Sequence, residues 1–282
     1  MATLYIVSTP IGNLADMTFR AVETLRSVSR ILAEDTRRTG ILLRHYSITT
    51  PMVSAHEHNE AARAARIITW LEEGQDLAIV SDAGTPLLSD PGARIVQAVL
   101  SAGHDVVPIP GASALLAALV ASGLEPEPFT FWGFLPRSGR ERKDRLAEVG
   151  TCPHTGVLYE APGRVGRLLS DLLAACGTNR RAVVARELTK LHETFVRGTL
   201  QDLVSYYENE AVRGEVVVLL EGAPAETPEA AEAEAFTAAR EMITAGQSPR
   251  DVAREITRRF QLPRNRAYEI AHAVRNEKEE TE

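Results

Sequence analysis

The chain has 282 residues, of which 44% are apolar and 24% charged, and a formal net charge of −7. That balance gives a packed core of one large or two α/β domains and excludes a disordered chain and a uniformly basic nucleic-acid coat. Cys152 and Cys176 lack the paired spacing of a zinc site and the density of a disulfide scaffold, so they read as buried thiols in a reducing compartment.

From the start, Met1-Ala-Thr-Leu-Tyr-Ile-Val-Ser8 enters a strand without the regions of a signal peptide. The longest apolar helical stretch, about 112–124, is shorter than the roughly 20 residues a bilayer span needs. A soluble, cytoplasmic protein is expected. Periodicity then predicts strand 4–7, helix 19–29, strand 30–33, helix 59–73, strand 77–80, helix 91–102, strand 105–109 and helix 113–121. This alternation gives a mostly parallel sheet covered on both faces. A second alternation follows: strand 155–159, helix 163–176, strands 182–185 and 193–197, helix 200–207 and strand 215–220, with adjacent strands that suggest a mixed sheet. Helices near 235–245, 250–260 and 265–274 end the chain, the last two spaced as a helix-turn-helix and the middle one started by Ser248-Pro249.

Charge is uneven along this frame. Residues 236–276 hold eight arginines against four acids, flanked by an acidic linker at 225–235 and an acidic tail from Glu277. A second basic cluster, Arg137 to Arg145, follows the apolar run Phe129 to Pro136. The helical block is either a nucleic-acid contact or a plain helical cap. Phe129, Phe131, Trp132 and Phe134 either stack unpaired bases or pack in the core or a dimer interface.

Open α/β sheets bind ligands beyond the carboxyl ends of their strands. Three loops there are unusual: Ser8 to Asp16, Ser81 to Gly92 and Pro108 to Ser113. Glycine admits close backbone approach, proline stiffens the loop, and Asp82 or Ser113 supplies hydrogen bonds. One such loop is ordinary turn chemistry; three on adjacent elements point to a site. No G-x-G-x-x-G opens a helix and no P-loop motif is present, which argues against dinucleotides and P-loop chemistry.

Through Pro10, Asp82-Ala-Gly84 and Pro110-Gly-Ala-Ser113 the chain resembles the tetrapyrrole-methylase-like methyltransferases. Through Thr9 to Asp16, Ala33 to Arg38, His56 to Asn59, Ser81 to Gly92, Tyr159 to Pro162 and Arg186 to Lys190 it resembles their branch acting on small-subunit ribosomal RNA. The resemblance implies two class III α/β domains, 1–122 and 123–224, with the donor in the cleft between them, the linker 225–235 and a helix-turn-helix-like domain 236–282. It also implies S-adenosyl-L-methionine as donor, 2′-O-methylation of a cytidine ribose in the decoding region of 16S rRNA or the small ribosomal subunit, a homodimer, and no metal.

Donor contacts are then expected from Pro10, Ile11, Asp82, Gly84, Thr85, Pro110, Ser113, Ala114 and Tyr159. RNA contacts are expected from Arg37, Arg38, Arg137, Arg140, Arg142, Arg258, Arg264 and Arg266. A ribose hydroxyl is a poor acid, so a base or an oxyanion-stabilising cation helps, with Lys190, Glu160 and His192 as candidates. Lys190 is equally readable as one half of a strand-edge ion pair with Glu193. His56-Glu-His58 lacks a third ligand and reads as a polar loop lining the cleft. Two rivals are methylation of a tetrapyrrole carbon and a DNA-reading regulator without turnover.

Overall fold

The computed structural model describes residues 2–55, 60–208, 210, 212–224, 228–260 and 262–279. The expected polar loop at His56 to His58 lies outside them. The first five strands are β1 (Thr3–Val7), β2 (Arg30–Ala33), β3 (Met52–Ser54), β4 (Leu77–Val80) and β5 (Asp105–Ile109). They form one sheet in the order β3-β2-β4-β1-β5, with every pairing parallel. Central β4 is buried throughout, as a continuous apolar run in a two-sided parallel sheet should be. Helices α1 (Phe19–Ser27) and α2 (Thr36–His45) cover one face with Ala21, Leu25, Leu42 and Leu43. Helices α3 (Glu60–Glu72) and α4 (Ala93–Ser101) cover the other with Ile67, Leu71, Ile95 and Val99.

Sequence periodicity misses α2 and β3. The charges of Glu34 to Arg38 disguise a helix start at which the Asp35 side chain accepts the Arg37 N–H. Behind that cap, Leu42 and Leu43 anchor the helix to the sheet.

The second sheet contains β6 (Phe129–Phe134), β7 (Thr155–Glu160), β8 (Arg181–Arg186), β9 (Thr194–Thr199) and β10 (Val216–Leu220), ordered β6-β7-β10-β8-β9. Only the β6/β7 pairing is parallel, so the sheet is mixed as expected. Helices α6 (Gly139–Thr151), α7 (Val165–Cys176) and α8 (Leu200–Tyr207) cover one face, seating Leu146, Leu168, Leu172 and Leu203 on Leu158, Val184 and Val218. The other face receives α5 (Ala114–Ser122), whose Leu115, Ala118 and Leu119 meet Val157, Val183, Val217 and Leu219. Because α5 follows directly from β5, the two sheets share one compact unit that ends at Ala223.

Arg142 corrects an expectation. It was grouped with RNA-contacting arginines, but its side chain is only 6% exposed and lies 2.7 Å from Asp171 of α7. Its guanidinium also donates to the Pro136 carbonyl. The spacing Arg142, Leu146, Val149 puts it on the inward face of α6, a signal that the cluster's overall charge hides. The thiols need a smaller correction, since Cys152 and Cys176 are half-buried.

The second unit, Pro224 onward, contains α9 (Pro228–Thr244), α10 (Pro249–Phe260) and α11 (Arg264–Glu279). They enclose Ala235, Ala239, Val252, Ile256, Ala267 and Ile270. The Ser248 hydroxyl accepts the Asp251 N–H at the start of α10. α9 begins inside the segment expected to be a linker, because its Ala/Glu composition favours helix. No helix among the described residues is long and apolar enough to cross a membrane.

Candidate functional site

The three strand-end loops are laced to one another. Thr9 and Gly84 exchange backbone hydrogen bonds of 2.9 and 3.0 Å. Thr85 Oγ1 accepts from the Ser8 hydroxyl and donates to the Ala112 carbonyl. A Cβ on Gly111 would come within 2.9 Å of Ser8 Cβ, so the third loop reaches the first only as glycine. The first loop is also tied to the connection between β8 and β9: the Asn13 N–H donates to Thr189, and the Lys190 stem lies against Gly12.

Between these loops and the second sheet lies a cavity of about 420 Å³. Of the residues expected to contact the donor, Ile11, Asp82, Gly84, Thr85, Ser113, Ala114 and Tyr159 line it. Pro10 instead lines a smaller groove beside it. Pro110 is exposed at the end of edge strand β5 and lines neither. Glu34, Asp90 and Phe134, from segments the sequence marks without assigning them to the donor, also line the cavity, as does the segment Gly214 to Val217, which escaped sequence reasoning. The β10 residues are remote in sequence, and no turn signal marks them.

The lining is acidic, with Glu34, Asp82, Asp90, Glu160 and Glu215 against Arg38 alone. Arg38 lies 3.1 Å from Asp82. Burial, then the charges of Asp82 and Asp90, push the Glu34 carboxyl above its usual range. Burial and Asp82 do the same to Asp90. Left-handed non-glycine residues cluster in the flanking loops, with Leu87 and Ser89 on one side and Glu187 and Thr189 on the other. Such strain marks loops whose shape the surroundings enforce. Gly84 has φ +81°, and a Cβ there would sit 3.2 Å from Ile11. Gly84→Ala is expected to cost about 1–2 kcal/mol, measurable as a Tm lower by about 3–6 °C.

Of the three catalytic candidates, Glu160 reaches the cavity. It ends β7, its side chain is 1% exposed, and Oε1 takes a 2.5 Å ion pair from Arg164 and the Ala161 N–H. Its Oε2 is buried without a partner, as is Arg164 Nε. Lys190 is bound by Glu187 at 2.8 Å and Glu215 at 3.3 Å rather than by Glu193. Burial opposes its charge, but the two carboxylates outweigh burial and hold its pKa above the ordinary lysine value. His192 is exposed on the same connection and does not line the cavity.

The expected RNA-facing arginines divide by their partners. Arg37 is 90% exposed beside Asp35, and Arg140 is exposed beside Asp144. Arg137 and Arg264 are exposed and make no ion pair among the described residues. Arg258 pairs with Glu255, and Arg266 is held by both Glu232 and Glu269, which pins α11 to α9. Among the described residues, no group of three or more His, Cys, Asp or Glu could hold a metal ion.

A laced set of strand-end loops over a mixed second sheet, with an acidic cavity between, defines a class of protein. Residues 3–204 match the Tetrapyrrole (Corrin/Porphyrin) Methylases, and the chain belongs to that family. It is 45% identical over 272 residues to the Ribosomal RNA small subunit methyltransferase I of Synechocystis sp., covering 96% of this chain and 98% of the relative. It is 43% identical over 277 residues to the protein of the same name from Bacillus subtilis, covering 96% and 94%. The solved methyltransferase CobJ superposes with TM-score 0.61 at 20% identity, over 79% of this chain and 95% of that one. Diphthine synthase superposes with TM-score 0.60 at 16% identity, over 78% and 90%. These two structures share the fold.

Proposed function

We propose that this chain transfers a methyl group from S-adenosylmethionine to the ribose 2′-oxygen of a cytidine in the decoding region of 16S rRNA. The acidic cavity carries the reading, because five carboxylates facing one arginine suit a small cationic ligand. The sequence relatives, which match nearly end to end, carry a ribosomal RNA methyltransferase name.

The residues present fit the donor. Its sulfonium supplies an electrophilic methyl group. Glu34, Asp82 and Asp90 would favour its positive groups, and the amino end of α5 at Ser113 and Ala114 would favour its carboxylate. Gly84 lets the backbone come close, and Tyr159 and Ile11 supply apolar wall. Glu160, which lines the cavity, would take the proton of the attacking hydroxyl, while Arg164 and the Ala161 N–H hold its Oε1. Lys190 positions the first loop through Gly12 and adds positive potential beside Glu215. Arg37, Arg38, Arg137, Arg140 and Arg264 would meet phosphate. The reading includes a cytoplasmic homodimer, for which exposed Leu116, Val120 and Phe129 offer apolar surface. Sedimentation checks that state.

A pH effect follows. The pKa values of Glu34 and Asp90 are raised, so the empty fold loses stability as pH rises through them, since burial and then the neighbouring carboxylates disfavour their ionised forms. A cation needs those ionised forms. Donor affinity should therefore fall as pH is lowered from about 8 to about 5, with proton release on binding seen by calorimetry in two buffers. Glu34→Gln should raise Tm at neutral pH and weaken donor binding.

The test of acceptor class offers labelled donor with unmodified small subunits, naked 16S rRNA or a tetrapyrrole. Label in either RNA sample supports the proposal. Label only in the tetrapyrrole refutes it.

A further inference from the structure

Beside the main cavity lies a second concavity of about 150 Å³, walled by Pro10, Leu14 and Ile41 and floored by Thr39. The two share Arg38 and Asp82, whose ion pair forms their common wall. Thr39 is only 4% exposed, yet its hydroxyl has no hydrogen-bond partner. A buried polar atom without a partner costs the fold stability, and Thr39 is one of the residues that line this groove. Ile41 is 57% exposed and leaves an apolar side chain on the groove wall. Arg38, whose side chain is 67% exposed, lines the groove, and its neighbour Arg37 is 90% exposed.

A slot that sets the apolar walls of Pro10, Leu14, Ile41 and Leu42 beside the hydroxyl-bearing Thr9, Thr39 and Ser81 and the Arg38–Asp82 pair matches a single nucleobase with its flanking phosphate. Four linked rings carrying several carboxylates would not enter a space of this size. The adjoining cavity holds the donor in the proposed function, so a base seated here leaves its own ribose beside the shared wall. Enzymes that modify single nucleotides commonly extrude them into such pockets.

We infer that the groove formed by Pro10, Leu14, Arg38, Thr39 and Ile41 is the seat of the acceptor nucleobase, an assignment that rests on RNA being the acceptor. The Thr39 hydroxyl bonds an edge of the base, Ile41 and Leu14 cover its face, and Arg38 meets the adjoining phosphate while keeping Asp82 in place.

Two variants test this. Thr39→Val keeps the shape and removes the orphaned hydroxyl; Ile41→Asp places a charge on the apolar wall. Each should raise KM for unmodified small-subunit RNA about tenfold or more, with the Kd for S-adenosylmethionine unchanged. Thr39→Val should also leave Tm equal or higher, which a structural role for the hydroxyl would not allow. If both variants keep KM within about twofold of the parent, or if donor Kd shifts as much as KM, the groove is not the base seat. The unsubstituted protein is the control: its failure to methylate RNA removes the functional reading and the groove assignment with it, whereas normal transfer with unaltered KM in the variants removes only the groove.

Discussion

Glu160→Gln is expected to lower turnover about a hundredfold or more, with donor Kd changed less than about threefold. The substitution keeps the size of the side chain and can still accept the Ala161 N–H that holds Oε1. What it removes is the charge opposite Arg164 and the capacity of Oε2 to draw a proton from the hydroxyl. Arg164→Lys should give a milder loss, because a lysine can neutralise Glu160 without the planar fork that fixes its orientation. Single-turnover rates and donor calorimetry on the same preparations separate the two effects. Turnover within about threefold of the parent in Glu160→Gln would remove Glu160 from the reaction.

Asp171→Ala is expected to destabilise the first unit by about 3 kcal/mol and to lower Tm by about 6–12 °C. The reason lies with its partner. Arg142 is buried and charged, and Asp171 is the carboxylate that compensates it at 2.7 Å. Removing the acid leaves a cation with only the Pro136 carbonyl for company. Arg142→Met, which removes the charge and keeps much of the volume, should cost less than Asp171→Ala and leave RNA affinity unchanged. Thermal unfolding of both variants and of the double replacement measures the coupling. A double variant no more stable than Asp171→Ala would show that the buried charge is not the cause.

Much of the fold is legible in the sequence because its strands are short apolar runs separated by amphipathic helices, the pattern that burial on both faces imposes. The strand-end loops were equally visible, since glycine and proline mark them, and Ile11, Asp82, Gly84, Thr85 and Ser113 do line the cavity. The rest depends on contacts between distant segments. Val216 and Val217 reach the cavity through antiparallel pairing of β10 with β7 and β8, which no local signal announces. Glu34 is a site residue because Asp82 and Asp90 stand near it, 48 and 56 residues along the chain. Arg142 was misread because its charge outweighed its position on a buried helical face. The partners of Lys190 are Glu187 and Glu215 and not Glu193, a pairing that sequence spacing does not announce.

The most direct measurement of the central claim is the position of the transferred methyl group. Small subunits lacking the modification are incubated with the protein and isotopically labelled S-adenosylmethionine, the RNA is digested to nucleosides, and the labelled product is identified by mass spectrometry. The account predicts a single labelled nucleoside, 2′-O-methylcytidine, from the decoding region. Label on a base, on another ribose, or absent from RNA while donor binding persists would contradict it.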